Sequence, residues 1–291
     1  MEDLPVGLSD DELAAGLARF GITGTPAYAP VGFGDYHWNV EDRWFTSVSD
    51  LAHKPLDGLR RAMNTAVSLS EQLPFVVAPL RAGDDIVVVL NDRYALTVFP
   101  FLHGKAGSFG DEQPAAVAEL LAALHGCTPP EDAPEAPIDP PGRAALEALL
   151  DEPGEWFDTT AREVFVAHEE AVRALLAKFD DLAAQLPATR VLTHGEPHPG
   201  NLIRTTNGLR LIDWDTVGLA APERDLSLLD DHTAYRNLTG HQPNAAGLAL
   251  YRTRWTLDDI AQFATKLRAP HEKSRDAELT SHYFKGTLAE L

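Results

Sequence analysis

Six side chains able to do chemistry fall in one short stretch: His194, Glu196, His198 and Asn201, followed by Asp213 and Asp215. An amide oxygen and a carboxylate, as Asn201 and Asp213 offer, suit magnesium, a hard cation that takes oxygen ligands and keeps coordination sites for phosphates. Glu196 lies five residues before Asn201 and is a carboxylate able to accept the proton of an attacking hydroxyl. Metal clamp and proton acceptor together are the parts of phosphoryl transfer. The pattern His194-x-Glu196-x-His198 superficially suggests zinc, but Gly195 and Pro197 forbid the helix that would align two such histidines.

The elements that position these groups read as strand, polar loop, strand, turn, strand. Asn207-Gly208 between two alternating apolar runs signals a two-residue hairpin turn, with Leu202 opposite Asp213. Asn201 and Asp213 then meet at the open end of the hairpin. Strict pleating would turn them to opposite faces, but each sits where strand gives way to loop and so can rotate toward a shared ion.

Further out, Ser9 and Glu12 have capping-box spacing and predict a helix ending near Gly21. Aromatic and β-branched alternation predicts strands over residues 28–48, 75–80, 85–90 and 93–99, with a helix over 56–73. Beyond these, helices are expected over 114–125, 159–186, 246–267 and from Arg275 onward, and the proline- and acid-rich stretch 128–142 reads as a surface loop. The fold class is α+β: an antiparallel sheet lobe with helices over residues 1–102, and a larger, mostly helical lobe over 103–291. The passage from one to the other is placed between Pro100 and Gly110, and a cleft between such lobes is the natural ligand site.

Composition narrows the function. The net charge of -20 on 291 residues repels phosphate backbones, which argues against nucleic acid as a partner, and would attract cationic small molecules to an acidic cleft. Solubility alone accounts for the charge equally well. One cysteine, Cys127, excludes an internal disulfide framework. The first residues lack the basic start and apolar run of a signal peptide, and no stretch approaches about 18 apolar residues, so a soluble cytoplasmic protein without membrane partners is expected.

Residues 194–201 resemble the H-G-D-x-H-P-G-N loop of aminoglycoside phosphotransferases and choline-kinase-like enzymes, and residues 212–215 resemble that family's I-D-W-D/E segment at matching spacing. Leu121 to His125 is similar to the helix after the lobe hinge, and Pro222-x-x-Asp225-Leu226 to the family's P-x-x-D-L. The resemblance implies a bilobal protein-kinase-like fold and transfer of phosphate from ATP, or GTP, to a hydroxyl of an aminoglycoside, an aminocyclitol or a related cationic metabolite, with Mg2+ as cofactor and a role in antibiotic resistance. It assigns Glu196 the base position, Asn201 and Asp213 the magnesium positions, and Asp225, His194 and His198 the support of the loop. Asp215, Glu223, Asp230 and Asp231 are candidates for an acidic substrate cleft, although a hydrated helix face explains them as well.

Two departures stand out. The family base is aspartate, and Glu196 adds a methylene, moving the carboxylate by roughly 1.5 Å, a displacement of the order that costs about 100-fold in rate. The strand expected to carry a phosphate-binding lysine has Ser47 near that position, leaving Lys54, Arg60 or Arg61 as substitutes, and Glu71 as an ion-pair partner without its lysine. Gly32 and Gly34 resemble a shortened phosphate loop or equally a plain β-turn, and Phe99 and Phe101 mark the hinge whose backbone would meet the nucleobase. A catalytically impaired binding protein of the same fold is therefore the alternative to an active kinase.

Overall fold

The computed structural model describes residues 1–108 and 114–291. The chain folds into two compact units, the first formed by Met1–Ala136 with Arg190–His241, the second by Pro137–Thr189 with Gln242–Leu291. These units cut the chain differently from the expected division at residues 102 and 103: residues 104–106 pair with residues 203–205, and the chain from Arg190 to His241 returns to the first unit. Phe109 and Gly110, the end of the expected hinge, lie outside the described residues.

In the first unit, helix α1 (Asp10–Arg19) begins with the complete capping box: Ser9 and Glu12 satisfy each other's backbone amides. It lies against a five-stranded antiparallel sheet of β1 (Pro26–Tyr28), β2 (Tyr36–Val40), β3 (Trp44–Asp50), β4 (Val88–Val89) and β5 (Tyr94–Pro100), in the order β1-β2-β3-β5-β4. Helix α2 (Leu56–Ser70) follows β3. Alternation puts Trp38, Val40, Val48, Tyr94, Leu96 and Val98 into one core with Leu13 and Leu17 of α1, leaving Ser47, Ser49 and Thr97 on the other side. Residues 75–80 are not the expected strand. They make three attachments, Val77 N–H to Leu211 O at 3.1 Å, Leu211 N–H to Phe75 O at 2.8 Å and Leu80 N–H to Val98 O at 2.7 Å, and so tie the sheet to the hairpin strand at Leu211 through a single parallel bridge and no longer ladder.

The short β6 (Gly104–Ala106) leads to α3 (Pro114–Gly126). Three helices of the second unit come next: α4 (Arg143–Asp151), α5 (Thr159–Ala167) and α6 (Glu169–Ala183). The chain then returns as β7 (Val191–Thr193), β8 (Leu202–Thr205), β9 (Gly208–Leu211), β10 (Gly218–Ala220), α7 (Glu223–Leu226) and α8 (Thr233–Thr239). β10 pairs with β7, and β6 joins the β8-β9 hairpin.

The second unit is helical. α9 (Ala245–Arg268) and α10 (Arg275–Ala289) join α4 to α6, with Trp156, Phe165 and Phe284 stacked in its core. The expected helix over 159–186 is two helices broken at His168, and α4 lies beyond the expected loop over 128–142, in a stretch for which no element is expected. No described helix is long and apolar enough to cross a membrane.

Candidate active site

The hairpin turn is displaced from its expected position. Thr205 pairs with Gly208 and Leu202 with Leu211, so the loop is Thr206-Asn207 and the register is two residues away from the predicted one. Thr205 explains the choice: its hydroxyl accepts from Asn207 N–H at 3.1 Å and donates to Gly208 O at 2.9 Å. Because side chains alternate with period two, a two-residue shift leaves every face unchanged. Ile212 N–H then bonds Asn201 O at 3.0 Å, which brings Asn201 beside Asp213 at the open end, as the hairpin argument requires.

Loop 194–201 is held almost wholly through buried polar contacts. His194 is fully buried. Its Nε2 donates to Ile212 O at 2.8 Å while its Nδ1 accepts from Glu196 N–H at 3.2 Å, so the imidazole is neutral with its proton on Nε2. Burial pushes its pKa down to about 4, against the pull of Asp225. Asp225 accepts from His194 N–H at 2.9 Å, from Gly195 N–H at 2.6 Å and from His125 Nε2 at 3.0 Å. Burial alone would raise the Asp225 pKa, but these donors, with His125 foremost, hold it below the usual carboxylate range. His125 in turn meets Tyr235 Oη at 2.7 Å. His198 caps the turn Pro199–Asn201 by accepting from Gly200 N–H at 3.1 Å. Gly195 adopts φ +103° with the Arg224 guanidinium packed where a Cβ would stand, so no other residue fits there.

Asn201 is buried, and its amide nitrogen donates to Glu196 O at 3.0 Å, which leaves its Oδ1 as the acceptor. Asp213 has a left-handed backbone, φ +65°, strained for a non-glycine residue. Loss of hydration and then the neighbouring Asp215 push its carboxyl well above the usual range, Glu196 and Asp35 adding to the effect although Lys54 opposes it. An excess of carboxylate oxygen around one lysine is the donor set a hard divalent cation fits. No three His, Cys, Asp or Glu side chains among the described residues form a metal cage.

The sheet side departs from expectation. Lys54, in the turn after β3, has its ammonium 3.0 Å from Asp35 Oδ1 and in contact with Asp215 Oδ2. Asp35 Oδ2 accepts from Ser47 Oγ at 3.0 Å and from Ser49 Oγ at 2.8 Å. Glu71 is exposed at the end of α2, so Asp35 and not Glu71 is the lysine's partner. Gly32 and Gly34 both have positive φ, +70° and +114°, in the bend that delivers Asp35. Phe99 lies opposite Phe45, which stacks on His37 at 5.0 Å between centroids. The Phe101 amide is bonded to Arg43 O at 2.9 Å.

Of the four candidates for an acidic substrate cleft, the structure brings only Asp215 to the site. Glu223 is wholly buried with Oε1 3.0 Å from His241 Nε2, so it supports the fold and does not line a cleft. Asp230 and Asp231 are exposed, and Asp231 caps Thr233 N–H at 2.8 Å. The sequence reading missed Asp35, Ser49, Tyr235 and the guanidinium of Arg224, which donates to Thr193 Oγ1 and Thr216 O, each at 2.9 Å. A serine pair at alternate positions of β3 facing an acid next to a glycine bend was the available signal for Asp35.

A glycine bend on an antiparallel sheet, followed in the chain by a polar loop and a hairpin that present Glu196, Asn201 and Asp213, is the layout of a kinase-type phosphotransferase with a hydroxyl acceptor. The chain belongs to the phosphotransferase enzyme family (APH), whose model matches residues 32–263. Protein StrN of Streptomyces griseus is 27% identical over 276 residues, 86% of this chain and 82% of that protein. Spectinomycin phosphotransferase APH(9)-Ia, solved with ADP and spectinomycin, shares the fold at TM-score 0.74 and 16% identity over 96% of this chain and 94% of its own. A choline/ethanolamine kinase family protein from Mesorhizobium loti shares it at TM-score 0.56 and 17% identity over 97% and 91%.

Proposed function

We propose that the protein is an ATP-dependent O-phosphotransferase that uses magnesium to phosphorylate a hydroxyl of an aminoglycoside, an aminocyclitol or a related cationic metabolite, and that would confer resistance if that molecule is an antibiotic. The observation that carries the reading is the convergence of Asn201, Asp213 and Glu196, with the Asn201 amide oriented by the Glu196 carbonyl. Magnesium, when bound, would be held by Asn201 Oδ1 and the Asp213 carboxylate and would neutralise phosphate charge. Glu196 orients the acceptor hydroxyl and takes its proton as the oxygen bonds to the γ-phosphorus and the bond to the β-phosphate oxygen breaks, releasing ADP. The glycine bend at Gly32 and Gly34 and the hinge at Phe99 and Phe101 would receive the nucleotide, with GTP as a second donor to be compared.

The preference for a cationic acceptor rests on the net charge of -20 and on the likeness in fold to the spectinomycin enzyme. The test is purified protein with magnesium and ATP or GTP against a panel of aminoglycosides, spectinomycin-like aminocyclitols and simple amino alcohols. Phosphate transfer to one class identifies the acceptor. Nucleotide-dependent thermal stabilisation without transfer to any hydroxyl would replace this reading with that of a binding protein.

A further inference from the structure

The residue type at Ser47 leaves β3 without a cation, yet phosphates need one. Lys54 supplies an ammonium four residues after β3 ends at Asp50, from a turn whose geometry is anchored by Lys54 N–H donating to Asp50 O at 3.0 Å. Its Nζ touches Asp215, two residues beyond the metal-position Asp213, and stands 3.0 Å from Asp35. The second oxygen of Asp35 is clamped by the hydroxyls of Ser47 and Ser49, at 3.0 and 2.8 Å. β3 thus spends its inward-facing side chains on fixing a carboxylate, and the carboxylate fixes a lysine.

We infer that Lys54 is the phosphate-binding cation of this chain, delivered from the turn after β3, and that Asp35, clamped by Ser47 and Ser49, is its positioning residue. A lysine binds phosphate as a compact point charge on a flexible stem, so its direction of approach can change provided its head is held. Burial works against the charged form of Lys54, but Asp215, Asp35 and Asp213 more than reverse this and keep it an ammonium across the working pH range. Arg60 and Arg61 sit on α2, where Arg61 is exposed, and neither forms an ion pair with Asp35 or Asp215 as Lys54 does.

This inference rests on the kinase reading, and its test separates the two. Calorimetric titration of the full chain with ATP, ADP and adenosine compares Lys54→Met, Lys54→Arg, Asp35→Asn and the doubly neutralised Lys54→Met/Asp35→Asn, which removes one charge of each sign and so guards against simple unfolding. Lys54→Met and the double variant are expected to weaken ATP and ADP about 10- to 100-fold, the range of a lost hydrogen bond to a charged group, with adenosine affinity unchanged. Lys54→Arg is expected to keep most of the ATP affinity, and Asp35→Asn to lose several-fold for ATP only. ATP and adenosine weakening in parallel, or ATP binding unaffected, would assign Lys54 to charge balance alone and overturn the inference. Wild-type protein that binds no nucleotide would overturn the kinase reading and this inference with it.

Discussion

The loop from His194 to Asn201 and the sheet side carrying Asp35 hold their charged groups by opposite means. In the loop, backbone amides do the holding: Asp225 takes two of them, His194 takes a third, and Asn201 bonds a backbone carbonyl. On the sheet side, side chains hold side chains: two serine hydroxyls fix Asp35, and Asp35 with Asp215 fixes Lys54. Backbone holding demands particular residues at adjacent positions, such as glycine at 195. Side-chain holding asks only that partners reach, so the same cation can arrive from a different place. If this distinction is right, changes in the loop cost more, and cost it in chemistry or folding, whereas changes on the sheet side cost nucleotide affinity.

The largest effect is expected at Glu196. Glu196→Gln keeps size and hydrogen bonding but removes the proton acceptor, and turnover should fall about 100- to 10,000-fold with ATP affinity unchanged. Steady-state kinetics beside calorimetry checks both halves. Turnover within a few-fold of wild type would remove Glu196 from the base position. Glu196→Asp tests the extra methylene separately: a rise in turnover marks the glutamate as a misplaced base, a fall marks it as fitted to its acceptor.

Asp225→Ala comes next. It strips the acceptor from the His194 and Gly195 amides and from His125 in a fully buried setting, and breaking a buried charged cluster from one side costs about 3 to 5 kcal/mol. Urea unfolding measures it. A loss under about 1 kcal/mol would show that the loop is held by other means, and would erase the contrast with the sheet side.

The difference between the two sides also decided what could be read from the sequence. The loop's requirements are local, so His194, Gly195, Asn201 and Asp213 announce themselves by type and spacing, and a hairpin argument brings the last two together even with its register two residues off. Asp35, Ser47, Ser49 and Lys54 lie on β3, in the bend before β2 and in the turn after β3, and only the pairing of β2 with β3 makes them neighbours. The alternate serines of β3 mark a polar face and do not say which carboxylate or lysine meets it, so Lys54 reads as one more surface charge. Glu223 failed for the converse reason: acidic residues near a motif look alike in sequence, and only burial against His241 separates the structural one. Helices were legible where apolar spacing ran long, as in α1 and α9, and not at His168, where the helical pattern continues across a break.

Acid should expose the loop before the sheet's hydrophobic core. His194 is neutral when folded, with a pKa of about 4 against about 6.5 in an unfolded chain. Between those values the unfolded chain binds the extra proton, so the contribution of His194 is fully present above pH 6.5 and is lost as pH falls toward 4, at up to about 1.4 kcal/mol per unit. His37, which burial also holds down to about 4, adds a slope from the sheet side. Unfolding free energy measured from pH 7 to 4.5 should therefore fall, His194→Gln should remove part of the slope and His37→Gln another part. A slope unchanged by His194→Gln would mean that the imidazole is not buried neutral.

The smallest effect tests the sheet side at its bend. Gly34 has φ +114° with open space where a Cβ would point, and Gly21, after α1, has φ +72° with equally open space. Alanine at either position meets no neighbour and pays only for the backbone, about 1 to 2 kcal/mol of stability at Gly21 and more at Gly34, whose φ lies beyond the left-handed helical range. The two variants thus differ in place and in strain, and adenosine affinity is the control for the strain. If the bend only connects β1 to β2, both should leave ATP affinity unchanged. If the bend covers phosphates and aims Asp35 at Lys54, Gly34→Ala should weaken ATP several-fold while Gly21→Ala does not, and adenosine should bind both as it binds the wild type. Equal ATP affinity in the two variants would reduce the bend to a connector and leave Lys54 with Asp215 as its one functional anchor.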